Sequence, residues 1–124
     1  MGKPKIMIVE DDQDIHILYG LYLRGKDFEI IRAYHGAEAL QRLDETKPDL
    51  IILDMIMPVM DGEEFFVKLR TEKKNTDVPV IIASVNDKIP QKMTDLGNIH
   101  AILKKPFTMD ILIRHIETAL AKTK

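Results

Sequence analysis

Cysteine is absent from the 124-residue chain, which removes disulfides, thiolate metal sites and thiol catalysis from consideration and suits a reducing cytoplasm. Long apolar runs are missing as well. No stretch approaches the roughly 20 residues of a membrane helix. The apolar residues 6–9 are too few for a signal-peptide core and meet Glu10-Asp11-Asp12 at once. The expectation is a cytoplasmic protein with no membrane association. Nor does one sign of charge dominate. Lys and Arg number 18 against 20 Asp and Glu, a formal net charge of −2, whereas a dedicated nucleic-acid surface carries a basic excess. Lys73 and Lys74, and Lys122 and Lys124, therefore read as solvated helix ends, and no direct nucleic-acid binding is expected. Repeats, low-complexity tracts and linkers are also lacking. Residues 1–124 read as a single domain, with 45% hydrophobic and 31% charged residues supplying one core and a polar exterior.

What the chain does have is alternation. Short β-branched runs at residues 6–9, 29–33, 50–53, 80–83 and 101–103 are each followed by a stretch of helical period. Several runs are continuously apolar, as strands covered on both faces must be. The first helical stretch carries Ile15, Leu18, Tyr19 and Tyr22 on one stripe and stops at Gly25, a left-handed C-cap. The second covers residues 36–46, with Ala37, Leu40 and Leu43 inward and Pro48 beyond its end. The third opens at Asp61-Gly62 and buries Phe65, Phe66 and Leu69. The fourth, within residues 86–96, is short or late-starting because it contains Pro90. The last is capped by Thr108, has Asp110 at its positive end, and buries Met109, Leu112, Ile113, Ile116 and Leu120. Five strand–helix units joined by right-handed crossovers predict an α/β fold, a parallel sheet with helices on both faces.

In such sheets the binding crevice lies beyond the carboxyl ends of the strands, so the residues leaving each strand carry the functional argument. Strand one exits into Glu10-Asp11-Asp12, strand three into Asp54, strand four into Ser84 and strand five into Lys104-Lys105-Pro106. Strand two exits into Tyr34-His35, which has no matching chemistry. Gathered carboxylates repel and need protons or a counter-ion to coexist. Oxygen ligands without His or Cys select a hard cation, and two or three carboxylates with room for water suit Mg²⁺ better than a Ca²⁺ cage. A cation, a lysine and a hydroxyl around one carboxylate would neutralise a phosphoryl group in transfer, with Asp54 as the nucleophile. Taken singly, Asp12 is a helix cap, Ser84 an ordinary strand-end serine, and Lys104 and Lys105 surface lysines. Their convergence gives Ser84 and Lys105 weight; Lys104 stays a solvated residue.

The stretches IMIVEDD (residues 6–12), LIILDMIMPVMDG (50–62), PVIIAS (79–84) and LKKPF (103–107) together resemble the receiver domains of two-component response regulators, along essentially the whole chain. The resemblance implies the flavodoxin-like doubly wound fold, (βα)₅ with strand order 2-1-3-4-5. It implies Glu10 and Asp11 as the metal-holding pair, Asp54 as metal ligand and phospho-acceptor, and the Ile56 main-chain carbonyl as a further ligand. Ser84 would hydrogen-bond the phosphoryl group and Lys105 would pair with it. The Lys105–Pro106 peptide would be cis, and Pro58 and Gly62 would shape the loop over the site. Three departures touch the switching apparatus. Ile102 stands where many members carry an aromatic residue, Val85 is bulkier than the usual small residue, and the segment 86–98 is slightly short and contains Pro90.

The implied function is a phosphorylation switch. A histidine kinase or phosphotransfer protein donates to Asp54 with Mg²⁺ present, Ser84 is drawn toward the phosphoryl oxygens, and the face of helix four, strand five and helix five relays the change to a downstream protein. Ile56, Asn86 and Ile102 would modulate it. No turnover of a dissociable substrate is expected, only the chain's own phosphorylation and dephosphorylation. Rival readings are a receiver that works by docking alone, an aspartate-nucleophile phosphatase and a flavin module. The phosphatase needs a second carboxylate where Ile56 stands, and Glu10-Asp11-Asp12 would repel a flavin phosphate. The histidines at 16, 35, 100 and 115 show no ligand spacing and read as surface or half-buried side chains, and the seven Met residues as core packing.

Overall fold

The computed structural model describes residues 3–86 and 88–122; Lys124, read above as a helix end, lies outside them. Elements alternate as β1 (Lys5–Val9), α1 (Gln13–Leu23), β2 (Glu29–Ala33), α2 (Gly36–Glu45), β3 (Leu50–Asp54), α3 (Gly62–Thr71), β4 (Val80–Ser84), α4 (Gln91–Leu96), β5 (Ile99–Lys104) and α5 (Met109–Lys122). The five strands form one parallel sheet in the order β2-β1-β3-β4-β5, the flavodoxin-like order expected from the sequence. Among the described residues no helix is long and apolar enough to cross a membrane.

The central strands are buried on both faces, and alternation of their side chains divides the core in two. Met7, Val9, Ile51, Leu53, Val80 and Ile82 point to one face, where Ala39, Phe65, Phe66, Leu69 and Met93 of α2, α3 and α4 cover them. Ile6, Ile8, Leu50, Ile52, Ile81 and Leu103 point to the other, against Tyr19 and Leu23 of α1 and Leu112, Ile116 and Ala119 of α5. The same parity carries past the strand ends. Glu10 continues the series of Ile6 and Ile8, Asp54 that of Leu50 and Ile52, and Lys105 that of Ala101 and Leu103. All three therefore leave the sheet toward the α1/α5 side. Ser84 continues Val80 and Ile82 and leaves toward the opposite side.

Two helix stripes differ from expectation. In α1 the buried residues are His16, Tyr19 and Leu23, while Leu18 and Tyr22 are exposed. This helix is apolar almost all round, so its pattern does not select a face. In α2 Ala37 is exposed and Gly36, Ala39, Leu40 and Leu43 face inward, because positions 36, 39, 40 and 43 share one helical stripe and position 37 lies off it. The α4 helix begins at Gln91, immediately after Pro90, since a proline fits a helix start and breaks a helix interior.

One tight contact sets the height of the β3 exit. The Gly62 amide donates to the Met55 carbonyl at 2.9 Å, and a Cβ on Gly62 would lie 2.7 Å from both the Asp54 carbonyl oxygen and the Met55 Cα. Backbone on both sides leaves no soft neighbour to yield. Gly62→Ala should cost about 1–3 kcal/mol, the usual range for overpacking, despite the better helix propensity of alanine. The measurement is urea unfolding, with a lower midpoint at an unchanged m value.

Candidate functional site

The parity of the strand exits brings three side chains to one point. Glu10 leaves β1, Asp54 ends β3 and Lys105 follows β5. Lys105 Nζ donates to Asp54 Oδ1 at 2.9 Å and lies 3.9 Å from Glu10 Oε1. Glu10, Asp11 and Asp54 each offer a carboxylate oxygen within 4.8 Å of the others, Glu10 and Asp54 buried and Asp11 exposed. The loop after β1 is held locally. The Asp12 amide donates to Glu10 Oε2 at 3.1 Å, and Asp12 caps α1 by accepting from the Asp14 amide at 2.8 Å.

This is a site short of positive charge. One lysine faces two buried carboxylates and an exposed third. Burial pushes the Glu10 carboxyl up from its ordinary 4.5 to about 7, and the charge of Asp54 adds to the rise; the Asp12 amide and Lys105 act against it. Lys105 sits closer to Asp54, so Glu10 bears the imbalance. Above neutrality the cluster needs another cation to stay ionised at low cost.

The other residues singled out from the sequence surround this point without all entering it. Ser84 is buried, its Oγ accepting from the Asn86 amide at 3.2 Å and its carbonyl from the Lys105 amide at 2.7 Å. The Ile56 amide lies 3.5 Å from Asp54 Oδ1, and its side chain stands exposed beside the site with that of Val85. The Lys105–Pro106 peptide is cis. Ile102 is not at the site; it packs half-buried against the core under α2, α3 and α4. His35 caps α2 by accepting from the Glu38 amide at 3.1 Å, so the β2 exit has a structural role.

His16, read from sequence as a surface or half-buried side chain, is buried beneath the acid loop. Its Nε2 lies 2.7 Å from the Glu10 carbonyl oxygen and 3.3 Å from that of Ala33. Burial holds its pKa below the ordinary value. The available signal was positional: three residues after the Gln13 helix start, residue 16 falls on the face of α1 that meets the sheet.

A family model for the response regulator receiver domain matches residues 6–117. The chain belongs to this family. This receiver domain is 33% identical over 123 residues to the transcriptional regulatory protein PrrA of Mycobacterium leprae, covering 98% of the chain and 52% of that protein. It is 33% identical over 120 residues to GlrR of Escherichia coli, covering 95% of the chain and 26% of that protein. The chain thus spans about half the length of the first of these relatives and about a quarter of the second. Among solved structures, the signal receiver domain of a putative LuxO repressor from Vibrio parahaemolyticus matches with a TM-score of 0.86 at 28% identity, covering 98% of this chain and 92% of that one. The response regulator TrrA of Thermotoga maritima, in complex with Mg²⁺–BeF, matches with 0.80 at 27%, covering 94% and 99%.

The acidic cluster of this receiver domain is compatible with a divalent cation: its donors are oxygens alone, and they carry more negative charge than Lys105 offsets. The raised Glu10 pKa sets the pH behaviour. A carboxyl that binds its proton more tightly folded than unfolded adds stability below about 4.5, and that stability is lost as pH rises through about 7. The buried His16, whose pKa is lowered, works in the opposite sense, so the readout is the comparison with Glu10→Gln. Without divalent cation, the melting temperature of the wild type should fall relative to Glu10→Gln across this window, and saturating Mg²⁺ should recover the difference. Parallel curves for the two proteins would remove the assignment.

Proposed function

We propose that this receiver domain accepts a phosphoryl group on Asp54 from the phosphohistidine of a histidine kinase or phosphotransfer protein, with Mg²⁺ as cofactor. One observation carries the reading: Lys105 Nζ lies 2.9 Å from Asp54 Oδ1 at the edge of a three-carboxylate cluster. A buried aspartate with a lysine on one oxygen and a cation-holding pair beside it is arranged for charge-stabilised phosphoryl transfer.

In this mechanism Glu10, Asp11 and Asp54, with the Ile56 carbonyl, would hold the cation, which would supply positive charge to offset that of the carboxylates and of a phosphoryl group. An Asp54 carboxylate oxygen attacks phosphorus in line. The new O–P bond forms as the P–N bond breaks, and its electron pair returns to the donor imidazole. Lys105 orients the Asp54 side chain through its 2.9 Å hydrogen bond to Oδ1, then pairs with the phosphoryl oxygens. Ser84 turns its hydroxyl from the Asn86 amide toward the phosphoryl group, biasing the segment after β4 and the α4–β5–α5 face between two arrangements. Ile56 and Asn86 adjust access of water, and Ile102 the coupling to that face.

The chain catalyses only its own phosphorylation and its slow reversal. No second carboxylate stands at position 56 to act as acid and base on a dissociable substrate. Signal passes to a downstream protein, with no direct nucleic-acid contact by this domain, in the cytoplasm.

Acetyl phosphate with Mg²⁺ should add the mass of one phosphoryl group to the intact protein. Asp54→Ala should add none, and Lys105→Gln should react slower by about 10²–10³-fold, the loss typical of one charge-stabilising donor. Intact-protein mass spectrometry over time reads all three, and equal labelling of the wild type and Asp54→Ala would sink the proposal.

A further inference from the structure

His16 joins three segments at the back of the acid loop. Its Nε2 faces two main-chain carbonyl oxygens, Glu10 at the β1 exit and Ala33 at the end of β2. A carbonyl only accepts, so Nε2 carries the hydrogen. Its Nδ1 lies 3.3 Å from Nη1 of Arg32, which only donates, so Nδ1 is the accepting nitrogen. The same Nη1 donates to the His16 carbonyl oxygen at 2.7 Å, and the Tyr34 ring lies 4.3 Å from the imidazole, centroid to centroid. Both faces of the assignment point to one tautomer in one orientation.

Room for this arrangement is provided in α1 itself. A Cβ at Gly20 would lie 2.6 Å from Arg32 Nη2. A glycine inside a helix costs roughly 0.5–1 kcal/mol against alanine, and here its bare Cα lies directly against the guanidinium that reaches the imidazole. A core filler would need none of this. A buried polar ring is tolerated when its nitrogens are bonded, but a leucine would fill the same space without an arginine threaded past a glycine.

We propose that His16, oriented by Arg32, is a positioning residue for the cation-binding pair: its Nε2–H holds the Glu10 carbonyl and so fixes the backbone from which the Glu10 and Asp11 side chains reach the site. The Glu10 amide already donates to the Ala33 carbonyl at 3.0 Å, so with His16 both main-chain polar groups of Glu10 are tied. The free rotation left to that residue is in its side chain. The inference rests on the cation-site reading above, and groups that fix a ligand's orientation are worth about 10–100-fold in metal affinity.

The test is Mg²⁺ titration of the full chain, following the amide resonances of residues 10–12 and 54. His16→Leu, which keeps volume and loses the donor, should raise the Mg²⁺ dissociation constant about 10–100-fold. His16→Gln, whose amide nitrogen can reach as Nε2 does, should recover most of that loss. Labelling by acetyl phosphate should show the same split: a higher half-saturating Mg²⁺ concentration with a saturated rate near that of the wild type. A role confined to stability would lower the unfolding midpoint and leave the Mg²⁺ constant of the folded protein unmoved. Wild-type affinity in folded His16→Leu, or no recovery in His16→Gln, overturns the proposal. Should His16→Leu not fold, long-range ¹H–¹⁵N spectra of the wild-type imidazole decide: a hydrogen on Nε2 supports it and one on Nδ1 overturns it. Absence of any Mg²⁺ binding by the wild type would instead overturn the cation-site reading, and this inference with it.

Discussion

Two buried carboxylates with a single lysine between them are the constraint on which this receiver domain turns. Glu10 and Asp54 leave adjacent strands on the same side of the sheet, and Lys105 reaches both unequally, 2.9 Å from one and 3.9 Å from the other. Two buried charges cannot be balanced by one at these distances without a cost. The cost falls on Glu10: burial first, with the charge of Asp54 adding to it, holds its proton up to about 7. The neighbouring contacts hold the cluster in place, through the Asp12 cap on α1 and the crowding of Gly62 against the Asp54 carbonyl, while the Asp12 amide on Glu10 relieves only part of the cost.

The sheet delivers these groups by parity. A parallel strand buried on both faces has no preferred polar side, so the residue after its last apolar position takes whichever side the count dictates. For β1, β3 and β5 the count leads to α1 and α5, and the charges meet. For β4 it leads away, so the Ser84 hydroxyl rests on the Asn86 amide at 3.2 Å. The charged centre and the β4 exit are thus joined through the Ser84 carbonyl, which accepts from the Lys105 amide at 2.7 Å. That main-chain bond ties the backbone of Lys105 to the end of β4.

The strands and the acid cluster were legible because both depend on single residue types at fixed places. Continuous Ile, Val and Leu runs admit few alternatives to buried parallel strands, and the polar residue ending each run names the site. The β5 strand is read too short from sequence because the polar His100 separates Ile99 from the apolar run that follows, and Lys104 ends it in a charge. The face of α1 was misread for a related reason. Ile15, Ile17, Leu18, Leu21 and Tyr22 surround a helix whose inward residue at the first turn is a histidine. Hydrophobicity assigns a histidine to solvent. Only its partners, two carbonyls from β1 and β2 and a guanidinium from β2, make it an interior residue, and those partners are adjacent in space, not in sequence.

The loop after β3 shows how firmly the Asp54 end of the site is held. Val59 adopts a φ of 68° and is fully exposed, so a β-branched side chain sits in the left-handed region with no packing to compensate, at a cost of roughly 1–2 kcal/mol. Such a conformation persists only where its surroundings over-determine it. Here they do. Met57 is buried against the core on one side, the Met60 amide donates to the Pro58 carbonyl at 2.7 Å across the valine, and the Gly62 amide closes the loop onto Met55. Relaxing Val59 would mean lifting Met57 out of the core or opening the Gly62 contact, and either would free the backbone of Asp54. The strain at the tip is therefore sustained by the same contacts that fix the carboxylate at its base.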